Sequence, residues 1–179
     1  MKTYIGLLGL ALLASCSSDD QGDLKVDEKT ITANNFESSA GWGGVDPTSL
    51  DRGHAHSGQY AIKVDGNREF SLTYDAALGL ASPKKFKKVL LEGWVYMPSD
   101  RSTGILGIQV TNAEDGKEVF GDGIKMRETV KLYKKWVKVS KEFTLPDNIN
   151  ATQHLKISLW RADASDAVLV DDIKLSIVE

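Results

Sequence analysis

The stretch "LLEGWVYMP", residues 90–98, has the alternation of side chains that is typical of a β-strand. Leu91 and Val95 fall on one face, which we assign to a protein core. The opposite face carries Trp94 and Tyr96, where a half-buried strand ordinarily has polar residues. Either both faces of this strand are covered, or its aromatic face is a binding surface.

Short runs with a similar alternation follow one another along most of the chain. Besides the opening stretch they are "QYAIKVD" (59–65), "EFSLTYD" (69–75), "GILGIQVTN" (104–112), "KWVKVSKEFTLP" (135–146), "HLKISLWRA" (154–162) and "AVLVDDIKLSIV" (167–178). Turn residues such as Gly, Asp, Asn and Pro separate the runs, and no segment keeps a helical period over a dozen residues. The sequence therefore predicts an all-β fold, an antiparallel β-sandwich of the jelly-roll type.

The phase of each run predicts which side chains face the core. In "EFSLTYD" the apolar phase contains Phe70 and Leu72, so both are predicted to point inward. In "HLKISLWRA" the phase leaves Trp160 on the polar face, as it leaves Trp94 and Tyr96 on theirs. A full aromatic ring buries about 150–250 Å² when it is covered, so an outward ring calls for a partner. A ligand that stacks on these three rings would be such a partner; the alternative is that a loop or the N-terminal segment covers them.

The first residues, "MKTYIGLLGLALLASC" (1–16), have the layout of a secretory signal: a basic residue, an apolar run and then small residues. The end of this segment resembles a bacterial lipobox, which predicts a signal peptide over 1–15 and lipidation, including palmitate, at Cys16. The polar, acidic residues 16–29 are predicted to be a flexible tether, and residues 30–179 one domain. We expect an outer-membrane lipoprotein that is exposed at the cell surface.

Composition narrows the classes of function. The chain of 179 residues carries 22 basic and 25 acidic residues and a formal net charge of −3, which argues against binding a nucleic-acid backbone. Its one Cys is assigned to lipid, no Gly-x-Ser-x-Gly motif is present, and no trio of ligands for a catalytic metal stands out. Glu92 and Asp122 are the carboxylates that could form a catalytic pair, but nothing in the sequence fixes their distance. We therefore do not predict an enzyme.

Four segments in order resemble a known family over most of the predicted domain. They are "NNFESSAGW" (34–42), "HAHSGQYAIKV" (54–64), "LLEGWVYMPS" (90–99) with "KKWVKVSKEFTLP" (134–146), and "AVLVDDIKL" (167–175). This pattern is similar to the carbohydrate-binding modules of families four, nine and twenty-two, which share the galactose-binding-like jelly roll. The resemblance implies non-catalytic binding of a polysaccharide or oligosaccharide, beside surface enzymes or transporters that process glycans. The alternative is a structural or adhesive surface domain that binds a protein partner.

The resemblance also implies site residues. A ligand groove would contain Trp94, Tyr96 and Trp160 as stacking rings, with Glu92, Gln109 and Arg161 as hydrogen-bonding partners of sugar hydroxyls. Arg161 has the opposite strand phase to Trp160, so it belongs to the groove only where the strand ends or bulges.

A structural Ca²⁺ is the second feature that the resemblance implies. Its ligands would be Glu37, Asp171 and Asp172, together with carbonyl groups of the turn 57–59. Oxygen donors from distant segments suit Ca²⁺, which takes 6–8 oxygen ligands. The alternative is that amides of the turn satisfy the two Asp carboxylates directly.

Overall fold

The computed structural model describes residues 24–39, 41–44 and 47–178. The predicted signal peptide and Cys16 lie outside these residues. The strands are β1 (Thr30–Asn34), β2 (Trp42–Gly43), β3 (Leu50–Arg52), β4 (Tyr60–Val64), β5 (Phe70–Ala77), β6 (Lys88–Tyr96), β7 (Ile105–Thr111), β8 (Glu118–Lys125), β9 (Trp136–Thr144), β10 (His154–Trp160) and β11 (Val168–Ile177). Two single-turn helices, α1 (Leu78–Ala81) and α2 (Met126–Thr129), and a 3₁₀ turn, Pro47–Ser49, lie between strands.

The strands form two antiparallel sheets. The six-stranded sheet has the order β3-β4-β11-β6-β9, with β1 also paired to β11, and the five-stranded sheet has the order β2-β5-β10-β7-β8. The side chains between the sheets form one continuous core of fully buried aliphatic residues, among them Ile62, Leu91, Leu106, Ile108, Leu155 and Ile157. The prediction of an all-β jelly-roll sandwich is confirmed.

The open side of the sandwich, between β8 and β9, is closed by an ion pair. Lys141 interrupts the apolar phase of β9, and its Nζ lies 2.9 Å from both carboxylate oxygens of Asp122 on β8. Burial alone would raise the pKa of Asp122, but the Lys141 ammonium and the Gly123 N–H outweigh it and lower that pKa. Because inward charges on edge strands discourage pairing with another chain, this pair also protects the edge of each sheet.

The two strands that carry the predicted ligand aromatics belong to different sheets. β6, with Trp94 and Tyr96, lies in the six-stranded sheet, and β10, with Trp160, lies in the five-stranded one. Since each ring sits on the outer face of its own sheet, the rings are on opposite sides of the sandwich. The expectation that all three line one groove is therefore wrong, and the reason is that strand phase does not reveal to which sheet a strand belongs.

Residues 24–29 lie along the outer face of the six-stranded sheet before β1 begins. The Nζ of Lys174 on β11 donates to the Lys25 carbonyl at 2.6 Å, and the Ile177 N–H donates to the Lys29 carbonyl at 2.8 Å. Leu24 and Lys25 border the same depression as Trp94. Among the described residues, none of the helices has the length and apolar character needed to span a bilayer.

Candidate ligand-binding groove

A row of small side chains crosses the outer face of the five-stranded sheet from one edge to the other. The strand register pairs Gly43 with Thr73, Thr73 with Ser158, Ser158 with Gly107, and Gly107 with Gly123. Directly paired residues of antiparallel strands project from the same face. With neighbouring strands about 4.8 Å apart, the row is roughly 19 Å long. We call this row the groove floor.

Bulky side chains form the wall on one side of the groove floor. Phe70, Trp160, Ile105 and Lys125 are paired in this order across four strands. The Phe70 side chain is 49% exposed and that of Trp160 is 39% exposed, and their rings are nearly parallel, at 13°, with centroids 6.2 Å apart. Two neighbouring parallel rings that remain open to solvent form a platform on which a flat apolar surface can stack. We call these four residues the aromatic wall.

Polar side chains form the opposite wall. Asp75, Lys156 and Gln109 are paired across β5, β10 and β7. The Lys156 ammonium lies 3.4 Å from the Asp75 carboxylate, and the Gln109 amide donates to Glu118 Oε2 at 2.8 Å. These contacts hold the donors and acceptors in place beside the groove floor. We call Asp75, Lys156, Gln109 and Glu118 the polar wall.

The groove floor and its walls enclose two adjoining depressions, of about 490 and 570 Å³, which share Phe70, Gln109 and Ser158. Trp160 and Lys156 are four residues apart on β10, which places the two walls roughly 13 Å apart. An elongated molecule fits this shape if it has a flat apolar side for the rings and an edge of hydroxyl groups for the polar wall. Of the predicted ligand residues, the structure brings Trp160 and Gln109 together here.

Phe70 was predicted to face the core, and this prediction is wrong. Ser158 is paired with Thr73, so an unbroken register would pair Trp160 with Ser71. The register shifts by one residue at this point, and Trp160 is paired with Phe70 instead. The shift leaves Ser71 buried, where its hydroxyl accepts the Leu159 N–H at 3.0 Å. A strand bulge of this kind turns the following side chain to the other face. The sequence gives no signal of this shift, because Ser71 falls in the polar phase of the strand, where a small polar side chain is expected.

The predicted ligand rings of β6 have a different environment. His56 stacks on Trp94 with ring centroids 3.8 Å apart and an angle of 12°, and His54 meets Tyr96 edge-on at 4.1 Å. Both His rings also contact Trp136, the first residue of β9, at 5.8 and 6.1 Å. The loop between β3 and β4 therefore covers this aromatic cluster, which was the alternative left open by the sequence.

The remaining predicted ligand residues lie apart from the groove. Glu92 is on the outer face of the six-stranded sheet, where its carboxylate is 2.9 Å from the Lys138 ammonium. The Arg161 guanidinium donates to the Ala164 carbonyl at 3.2 Å and so closes the turn that follows β10. Glu92 and Asp122, weighed as a catalytic pair, belong to different sheets, and each is paired with a lysine.

The predicted calcium ligands do come together, around the turn 57–59. Asp171 is fully buried and accepts the N–H groups of His56 and Ser57 at 2.8 and 3.0 Å. Asp172 accepts the Ser57 hydroxyl at 2.7 Å, and its Oδ2 is 2.6 Å from His56 Nδ1. A register shift in β11 and a positive φ of 49° at Asp172 turn both neighbouring carboxylates toward the same loop. Burial, with a smaller contribution from the Asp172 charge, raises the pKa of Asp171 to about 7.

Glu37 binds the other side of the same turn. Its Oε1 accepts the N–H groups of Gln59 and Tyr60 at 2.6 and 2.8 Å. A Cβ at Gly58 would lie 2.4 Å from the same carboxylate, so the turn requires Gly at this position. The three carboxylates thus hold the turn through direct hydrogen bonds. The described part of the chain has no group of three or more His, Cys, Asp or Glu arranged to hold a metal ion. Calcium binding stays a prediction.

Comparison with known proteins extends the resemblance to the whole described fold. No protein-family model matches the chain, and no curated protein matches it in sequence. Among solved structures, the xylan-binding CBM22-1 domain of Xyn10C from Paenibacillus barcinonensis superposes with a TM-score of 0.54 at 19% identity, over 84% of this chain and 95% of that one. The C-terminal family 22 carbohydrate-binding module of Clostridium thermocellum Xyn10B gives 0.54 at 13% identity, over 86% and 96%. A family 16 carbohydrate-binding module gives 0.51 at 18% identity, over 79% and 94%. These likenesses show that the chain has the jelly-roll fold of carbohydrate-binding modules.

Proposed function

We propose that the protein binds a polysaccharide chain in the groove on its five-stranded sheet and does not cleave it. The observation that carries this proposal is the pair of parallel, solvent-open rings of Phe70 and Trp160 beside a floor of small residues. The apolar faces of sugar rings stack on such platforms, while Asp75, Lys156 and Gln109 bond hydroxyl groups.

The shape of the groove favours a β-linked glucan or xylan-like chain over a compact ligand. The groove floor runs from one sheet edge to the other, so an extended chain can enter and leave it at both ends. The structural neighbours include xylan-binding domains, which supports the same class of ligand. Half of one ring covered by a sugar removes about 100 Å² from water, worth about 2 kcal/mol.

Binding without cleavage agrees with the state of Asp122, the groove carboxylate considered for catalysis. A glycoside hydrolase needs one carboxylic acid that stays protonated to act on the leaving group. The pKa of Asp122, at the rim of the groove, is lowered by Lys141 despite its burial, so this group is ionised at neutral pH. The Asp171 carboxyl, whose pKa is about 7, lies buried in the other sheet.

A pull-down on insoluble polysaccharides tests this proposal. We expect the parent chain to bind at least one β-linked glucan or xylan, with no release of reducing ends. Phe70→Ala should reduce binding, whereas Leu80→Ser, a matched change at a side chain 86% exposed elsewhere, should not. Release of reducing ends would contradict the non-catalytic role. Equal binding by Phe70→Ala and the parent would contradict the site.

We further propose that acyl chains on Cys16 anchor the protein in the outer membrane with the groove exposed at the cell surface, near enzymes or transporters that use the same glycan. The basis is the lipobox-like segment before Cys16 and the acidic tether after it. Metabolic labelling with palmitate should label the parent and not Cys16→Ser. Equal labelling of both would contradict acylation at Cys16.

A further inference from the structure

One surface loop carries a basic and apolar patch that the groove does not use. Residues 130–138, "VKLYKKWVK", contain four lysines and no acidic residue, in a chain whose formal net charge is −3. Within them Leu132 is 60% exposed and Tyr133 is 40% exposed. Because Leu132 and Tyr133 are consecutive, they form one exposed apolar patch rimmed by lysines, an arrangement found at protein and membrane interaction sites. We call residues 131–135 the Lys-rich loop.

The Lys-rich loop is held outward at both ends. Val130 is buried and its N–H donates to the Met126 carbonyl at 2.8 Å. The Lys134 N–H donates to the Met97 carbonyl at 2.8 Å, and Lys134 has a positive φ of 57°. The segment between these two points therefore presents Leu132 and Tyr133 to solvent as a fixed tip.

The N-terminal segment runs toward the end of the sandwich that carries this tip. Thr30 is level with Ser176 on β11, while Leu24, six residues earlier, borders the same depression as Trp94 and Lys138. Trp94 is paired with Lys138, two residues after the start of β9, and the Lys-rich loop immediately precedes that strand. Cys16 precedes Leu24 by eight residues in the sequence, a span of about 28 Å at most.

We propose that the Lys-rich loop contacts an anionic lipid surface and seats the domain on the membrane. Lysines near such a surface are attracted to its phosphate groups, and Leu and Tyr side chains enter the interface between headgroups and acyl chains. The apolar tip favours lipid over an acidic polysaccharide. Such a polysaccharide would form ion pairs with the lysines but would not bury the Leu132 side chain. This contact does not depend on what the groove binds.

Vesicle flotation of the full chain tests the proposal, with Cys16→Ser in every variant so that acylation plays no part. The probes are vesicles of phosphatidylcholine alone and vesicles that also contain phosphatidylglycerol. We expect the parent to partition more strongly onto the anionic vesicles, and this preference to fall with added salt. The apolar run at residues 5–14 is present in all variants, so any vesicle binding by that run is the same in each. Differences between the variants therefore report on the Lys-rich loop.

The variants separate the two components of the patch. The triple variant Lys131→Gln, Lys134→Gln, Lys135→Gln should partition more weakly onto anionic vesicles, by about fivefold per lysine. Leu132→Ser with Tyr133→Ser should reduce it several-fold, and Leu80→Ser, the matched exposed leucine, should leave it unchanged.

Two results would overturn the proposal. One is equal partitioning by the loop variants and the parent. The other is binding to soluble polygalacturonate that needs the three lysines and is indifferent to the apolar pair, with no preference for anionic vesicles; the loop would then be a site for acidic polysaccharide.

Discussion

Asp171 sits fully buried beside a second carboxylate, and burial raises its pKa to about 7 from an ordinary 3.8. Between about pH 4 and pH 7 the folded protein then holds a proton that the unfolded chain has released. Raising the pH through this window therefore lowers the free energy of unfolding, and the stabilisation present below pH 4 is lost as the pH passes 7. The change is on the order of 4 kcal/mol for a shift of this size.

We predict that Asp171→Asn flattens this part of the pH dependence. Urea unfolding at pH 5 and pH 8, with a chelator present in both, measures it. Other titrating groups are common to the parent and the variant, so the difference between their slopes isolates Asp171. A variant that loses stability with pH as steeply as the parent would show that Asp171 is not the group responsible.

Calcium would reverse this behaviour, because a cation holds its carboxylate ligands ionised. If Ca²⁺ binds at Glu37, Asp171 and Asp172, chelation should lower the melting temperature of the parent and added Ca²⁺ should restore it. Glu37→Gln should weaken that response. A melting temperature that is the same with Ca²⁺ and with chelator would leave the direct hydrogen bonds as the whole explanation of this cluster.

Gly107 and Gly123 are paired on β7 and β8 in the groove floor, but they differ in what surrounds them. A Cβ at Gly107 would meet only the Ser158 and Asp122 carbonyl oxygens, at 3.6 and 4.0 Å. A Cβ at Gly123 would lie 2.6 Å from Ile105 Cγ2 and 2.9 Å from the Leu106 carbonyl oxygen. The first glycine keeps the floor low, and the second is required by close approach of the strands.

We predict that Gly107→Val keeps the fold and loses ligand binding, because its side chain fills the groove. Gly123→Val should instead lower the free energy of unfolding by about 1–3 kcal/mol, as overpacking does. Chemical unfolding and binding to the same glycan, measured side by side, distinguish the two effects. Full ligand binding by Gly107→Val would mean that the ligand does not lie across this row.

Strand phase predicted the elements well and the groove poorly. The alternation in "LLEGWVYMP" and "HLKISLWRA" identified β6 and β10 and the inward residues of each, because burial of one face imposes the period of two. Phase alone does not show which strands are neighbours, so Trp94 and Trp160 were assigned to one groove. The unbroken alternation in "EFSLTYD" predicted Phe70 in the core, but the shift in register between β5 and β10 turns it to the outer face.

At the scale of the molecule, the two outer faces of the sandwich differ in what covers them. The six-stranded face carries the N-terminal segment and an aromatic cluster covered by the loop with His54 and His56. The five-stranded face leaves Phe70 and Trp160 open. The candidate groove thus lies on the side away from the N-terminal segment, which agrees with the proposed anchor on Cys16.

The resemblance to carbohydrate-binding modules predicted the sandwich. It also predicted that Glu37, Asp171 and Asp172 lie around one turn, as the structure shows. It did not predict which outer face stays open. That depends on the loop 53–59 packing onto β6, a contact between segments more than thirty residues apart that no local pattern records.

The most direct measurement is the affinity of the parent, Trp160→Ala and Trp94→Ala for a soluble oligosaccharide of the bound glycan, by isothermal titration calorimetry with chemical unfolding of each. Trp160→Ala should bind about 30-fold more weakly, the equivalent of about 2 kcal/mol, with little change in stability. Trp94→Ala should bind like the parent but unfold with about 2 kcal/mol less free energy, because it loses the contact with His56. Loss of binding in a folded Trp94→Ala, with binding retained in Trp160→Ala, would place the ligand on the other face and contradict the account.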